Sequence, residues 1–100
     1  MEYRELMKIC NDSDSRLDEK DDAIDYLSEF DNSEVIEFLI KIGSDSDIDD
    51  LLSSAAGESL GHIFSKRVYK PDLNFIHLLL PNAKAELLGL LKTVKPDWLL

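Results

Sequence analysis

Residues 34–63 read EVIEFLIKIGSDSDIDDLLSSAAGESLGHI, and the fold turns on how this stretch is parsed. Apolar Val35, Ile36, Leu39 and Ile40 recur at helical spacing, and Gly43 follows them, which predicts a helix over about 34–42. Ser33 stands where an N-cap is wanted. The phrase SDSDIDD favours a turn, and a further helix is expected from about 48 to 66. The unit is therefore a pair of helices. Its turn has an earlier copy: residues 7–15 read MKICNDSDS and residues 40–48 read IKIGSDSDI. At this offset of 33, Leu6, Lys8, Ile9, Asp12, Ser13 and Asp14 match Leu39, Lys41, Ile42, Asp45, Ser46 and Asp47, while Ala23 and Leu27 match Ala56 and Leu60.

Working outward, Tyr3, Leu6, Met7 and Cys10 predict a first helix over about 2–10. Ala23, Tyr26, Leu27 and Phe30 predict a second over about 17–30, ended by Asp31-Asn32-Ser33. Beyond residue 66, Lys70-Pro71 opens an expected fifth helix over about 71–80, and Pro81 a sixth over about 82–94, since proline suits the first helical turn. AKAELLGLL from Ala83 echoes AAGESLGHI from Ala55 at an offset of 28. The tail 95–100, KPDWLL, is expected to fold back so that Trp98 and Leu99 cover the last pair. The reading is a single all-α domain over 1–100, with units of about 2–30, 33–66 and 71–94. Repetition of helix pairs at this period is the pattern of a small α-solenoid.

The stretch 34–63 resembles one HEAT-type repeat, in the short HEAT-like form whose second helix carries two alanines followed by Leu-Gly, here Ala55, Ala56, Leu60 and Gly61. That resemblance implies stacked antiparallel helix pairs, with the second helices lining one face. The first unit departs from the pattern, because Ser28 stands where Gly61 would.

The net charge of −10 is unevenly spread. Residues 1–50 hold 17 acids against five bases, and residues 51–100 hold four acids against six bases. Asymmetry of this kind points to an electrostatic interaction surface, and its sign excludes unaided binding to nucleic acid or to an anionic membrane. Any charged partner should be basic. Hydrophobic residues at 44% and charged residues at 32% suit a globular chain. The start MEYRELMKIC carries no basic, apolar leader and no apolar run approaches the length of a membrane span, so the expected location is the cytoplasm.

Candidate chemistry is sparse. DSDSRLDEKD, residues 12–21, invites a calcium-loop reading, but counting from Asp12 or from Asp45 leaves the required Gly and Glu positions unfilled; the aspartates read as turn and capping residues, and no metal or cofactor is expected. His62 and His77 have no acid or nucleophile at motif spacing and read as structural. Cys10, the lone cysteine, reads as a small core residue. Gly57 and Gly61, four apart, would let another helix come close. No catalytic motif appears, so the chain reads as a binding protein rather than an enzyme.

The informative feature is an acidic stripe. Asp18, Asp22, Asp25 and Glu29 fall at i, i+4, i+7 and i+11 on the second helix, with Tyr26 at the border between stripe and core face. Like charges at i,i+4 oppose the helix. A solvated face would explain acids of this kind, but solubility is better served by mixed charges. Asp45, Asp47, Asp49 and Asp50 are expected near the same rim, extending the surface. An acidic, all-helical chain of this size is similar to the bacterial immunity proteins that neutralise nuclease toxins. That likeness implies occlusion of a basic toxin's nucleic-acid-binding or active surface by the stripe and the 45–50 loop, with Tyr26 as anchor. Two alternatives are a HEAT-like adaptor or subunit in a larger assembly, and an accessory of a lyase-type enzyme.

Overall fold

The computed structural model describes residues 2–100, and every regular element in them is helical. Five α-helices follow in order: α1 (Tyr3–Asn11), α2 (Leu17–Leu27), α3 (Ser33–Gly43), α4 (Asp50–Ser65) and α5 (Pro81–Val94). Short 3-10 turns occupy Asn74–Leu78 and Pro96–Leu99.

The repeated phrase is a repeated turn. After α1, Asp12 N–H donates to Ile9 O, Ser15 N–H donates to Asp12 O, and Asp14 N–H donates to the Asp12 side chain. After α3, Asp45 donates to Ile42 O, Ile48 to Asp45 O, and Asp47 to the Asp45 side chain. The same three bonds recur 33 residues apart. An aspartate whose carboxylate takes the N–H two residues on mimics a backbone turn, which is why this phrase reverses the chain.

Each turn folds two helices into an antiparallel hairpin, α1 on α2 and α3 on α4. The hairpins lie side by side in the same sense. At the start of α1, the Tyr3 hydroxyl donates to Glu34 Oε1 at 2.9 Å and Arg4 Nη2 lies 3.4 Å from the same atom, at the start of α3. In the other row, Ser59 Oγ in mid-α4 donates to Ile24 O in mid-α2 at 2.8 Å. Beyond both helices Arg67 grips Asp31 with two bonds of 3.0 and 2.6 Å. The guanidinium holds the Asp31 carboxyl below the usual carboxylate range.

α5 joins this second row, parallel to α4. Asn82 Nδ2 reaches Asp50 O, Ser53 Oγ and Ser54 Oγ at the start of α4, while further along Gly61 meets Leu90. Contact is closest at Gly57, where a Cβ would stand 2.1 Å from Ala83 O. Gly43, at the end of α3, has no positive φ; it is small because a Cβ there would lie 3.0 Å from Leu79 Cδ2 and 3.4 Å from Ala83 Cβ. Gly57 and Gly61 thus serve helix approach, as their spacing predicts, and Gly43 serves clearance rather than a left-handed cap.

The expected fifth helix over 71–80 is absent. In its place the chain runs back from α4 with one 3-10 turn, Phe75 against Phe64 at a ring separation of 5.6 Å, and Leu80 N–H bonded to Gly43 O at 2.9 Å. Pro81 fixes the end of this stretch: it disfavours helical backbone at the residue before it, and Leu80 is accordingly extended at φ −62°, ψ 155°. Two smaller differences are local. α2 stops at Leu27, with Ser28, Glu29 and Phe30 continuing as 3-10-type turns, and α3 is capped by Asn32, whose Oδ1 accepts from Val35 N–H, one residue before Ser33.

The core runs through both rows. Ile24, Leu27, Val35, Leu39, Ala56, Leu60, Ala83, Leu87 and Leu91 are all fully buried. Trp98 and Leu99 fold back against it, with Lys95 Nζ 5.5 Å from the Trp98 ring centre. Cys10 is half-buried, and burial pushes its thiol up to about 11, as suits a packing residue rather than a nucleophile. Among the described residues no buried side-chain nitrogen or oxygen lacks a partner, and no helix is long and apolar enough to cross a membrane.

Candidate functional site: an acidic face beside an apolar cleft

The acids of α2 crowd together because the helix turns them to one side and α4 adds a further acid. Carboxylate oxygens of Asp21, Asp22 and Asp25 lie within 4.8 Å of one another. Across the α2–α4 boundary stands Glu58, and His62 sits one turn beyond it, Nε2 3.5 Å from Glu58 Oε1. Partial burial against α4, then the charges of Asp22 and Glu58, hold the Asp21 carboxyl above its usual range. Asp25 is raised by the same desolvation and by Asp21, Glu58 and Asp22, with His62 opposing. Among the described residues no Lys or Arg pairs with any of the three.

On the other flank of α2 a cleft of about 400 Å³ separates it from α1. Its floor and walls are apolar: Leu6 and Ile9 from α1, Ala23 and Tyr26 from α2, and Phe30 from the following turn. Its rim carries Glu19, Asp22 and Glu29. Tyr3 stacks on Phe30 at 5.8 Å between ring centres. Tyr26 is 60% exposed and also borders a shallower hollow with Asp22, Asp25, Ser28 and Glu29.

The expected site residues divide accordingly. Asp22, Asp25, Tyr26 and Glu29 come together, Glu29 from the turn after α2 rather than from the helix. Asp18 is on the stripe but is held by Arg16, Nε to Oδ1 at 3.1 Å, before α2 begins. The loop acids do structural work: Asp45 makes the turn described above, Asp49 accepts from Leu51 N–H at 2.9 Å as the N-cap of α4, and Asp50 lies in its first turn. Asp45 borders a separate small cleft with Cys10, Asn11 and Lys41, and neither cleft lined by Tyr26 includes Asp45, Asp47, Asp49 or Asp50. Sequence reasoning overlooks Asp21, Glu19 and Glu58 as members. The Asp21/Asp25 spacing carries a signal for the first, whereas Glu58 joins only through the packing of α4 on α2.

No protein-family model matches the sequence, and neither a curated protein nor a solved structure shows significant similarity to it.

The crowding has a pH signature. A carboxyl whose folded pKa is raised binds its proton more tightly in the native state, so stability rises as pH falls through that folded value and stops rising near the unfolded value of about 3.9. Asp31 acts oppositely: its pair with Arg67 stabilises above about 3.9 and is lost as pH falls through its depressed folded value. Thermal melts should therefore show Tm climbing as pH falls through the raised folded values of Asp21 and Asp25 and turning down below about pH 4. Asp25→Asn should raise Tm at pH 7.5 by roughly 3 °C, from relief of about 0.5 kcal/mol of like-charge repulsion, and should flatten the climb. A profile unchanged by the substitution would show that Asp25 is not part of the strained group.

Proposed function

We propose that this chain is a binding protein that neutralises a basic protein partner, acting as an immunity protein that covers the nucleic-acid-binding or active surface of a cognate nuclease toxin. The observation that carries the reading is the face formed by Asp21, Asp22, Asp25 and Glu58, left among the described residues without a Lys or Arg counter-charge, with the Asp21 and Asp25 carboxyls raised by partial burial and then by the neighbouring acids. Acids packed this way cost the fold stability, and a basic partner would return that cost by neutralising them. A nuclease that holds a phosphate backbone presents the complementary Lys/Arg surface. Long-range attraction would speed encounter, with a marked dependence on salt.

We further propose that the scaffold is a short HEAT-like stack of three units, the last reduced. Support comes from the recurring turn, from the parallel rows, and from the glycines: Gly61 meets the next helix, whereas Gly89, 28 residues on, meets nothing within 4 Å, as befits a final unit.

The test is capture on the immobilised protein from the native host's lysate, with low-salt and high-salt washes, followed by expression of each captured protein alone and together with this chain. The expected result is one dominant basic protein, retained at low salt, toxic alone and harmless in company. A spread of unrelated, non-toxic proteins would replace the immunity reading with that of an adaptor.

A further inference from the structure

We infer that the α1–α2 cleft seats the apolar side of a short basic amphipathic helix belonging to the partner; the inference rests on the basic-partner reading and names the element of the partner that is held. The acidic face alone would serve any cation, but the cleft asks for more. Ile9 and Phe30 are only half-buried and Tyr26 is exposed, so the apolar trough between the two helices stays partly open to water. Around it stand Glu19, Asp22 and Glu29, with no Lys or Arg lining the cleft.

An apolar floor between two antiparallel helices, rimmed by one sign of charge, is the form that receives an amphipathic helix, whose anchors recur at i, i+4 and i+7. The walls set the length. On α2 the lining runs from Glu19 to Tyr26, so at 1.5 Å per residue the trough runs about 10 Å, enough for two or three such anchors. The charge sets the composition. Lysine or arginine beside the anchors would lie over Glu19, Asp22 and Glu29, and the aliphatic stems of those bases would lie along Tyr26. A second copy of this chain fits poorly on charge, because the net charge of −10 would meet itself.

The experiment uses the full chain, ¹⁵N-labelled, with two synthetic helical peptides of about 11 residues. One carries leucine at the anchor positions and lysine around them; the other has the leucines replaced by serine at equal charge. The leucine peptide should bind at least about tenfold tighter, with amide shifts centred on Ile9, Ala23 and Phe30. Tyr26→Ala should erase most of that advantage while weakening the serine peptide, which keeps only its lysine stems on that ring, by a much smaller factor. Tyr26 is exposed, so the variant should keep its helical circular dichroism. Equal binding of the two peptides, with shifts confined to the acidic face, would overturn the cleft inference and leave the basic-partner reading standing. Binding of neither would overturn both. Cleft shifts that grow with protein concentration in the absence of peptide would make a second copy the occupant, which also overturns the inference.

Discussion

Gly57→Ala should lower the stability of this protein by about 3 kcal/mol, a Tm loss of roughly 15 °C. The methyl group would stand 2.1 Å from Ala83 O and 2.8 Å from Ala83 Cα, and backbone cannot swing aside as a side-chain tip can. α4 and α5 would have to separate along their whole contact, loosening Ala83, Leu87 and Leu91. Gly89→Ala on α5 is the matched control: nothing lies within 4 Å of its new Cβ, so the better helix propensity of alanine should add about 0.5–1 kcal/mol. Thermal melts of the two variants should therefore move in opposite directions. Equal losses would mean that glycine itself, and not the crossing of α4 with α5, sets stability at these positions.

The second large effect concerns binding. Replacing both Asp22 and Asp25 by lysine should weaken a basic partner about a hundredfold or more and remove most of the salt dependence of its association rate. The same double variant should melt no lower than the parent, because both side chains are exposed and lysines there relieve the crowding around Asp21 and Glu58. This pairing of lost binding with retained or raised Tm separates an interaction surface from a structural one. Binding within a few-fold of the parent would sink the acidic-face mechanism, and a collapse in Tm would show that the face supports the fold.

Much of the architecture is legible in local sequence because its causes are local. The Asp-Ser-Asp phrases spell the turns, the spacing of Val35, Leu39 and their neighbours marks the buried side of α3, and the pair Gly57 and Gly61 announces a close neighbour. The missing fifth helix shows where a proline read as a helix start misleads. Leu73, Phe75, Ile76 and Leu79 do pack on the core, yet Pro81 straightens the chain just before α5, and a bond to Gly43 O satisfies Leu80 without helix. Ile24, fully buried, is absent from the sequence-level face of α2 because that helix is clamped between α1 and α4 and buries more than one stripe. The acidic stripe is readable for Asp22 and Asp25, since helical spacing alone gathers them, while Glu29 joins them from the 3-10-type turn after Leu27. Glu58, Ile9 and Phe30 are not readable in this way: their membership depends on which helix lies beside α2, and no pattern within α2 carries that information.

The placement of the lone tryptophan has a practical consequence. Trp98 rests under Lys95 beyond α5, with the whole of α4 between α5 and the α2 surface. Its emission therefore reports on the last unit of the molecule. Displacement of α5 in a variant such as Gly57→Ala would shift that emission to the red, while occupancy of the cleft at Tyr26 would leave it quiet and register in tyrosine signals instead. Two optical channels divide one small chain, the first following how its end is fastened and the second following what it holds.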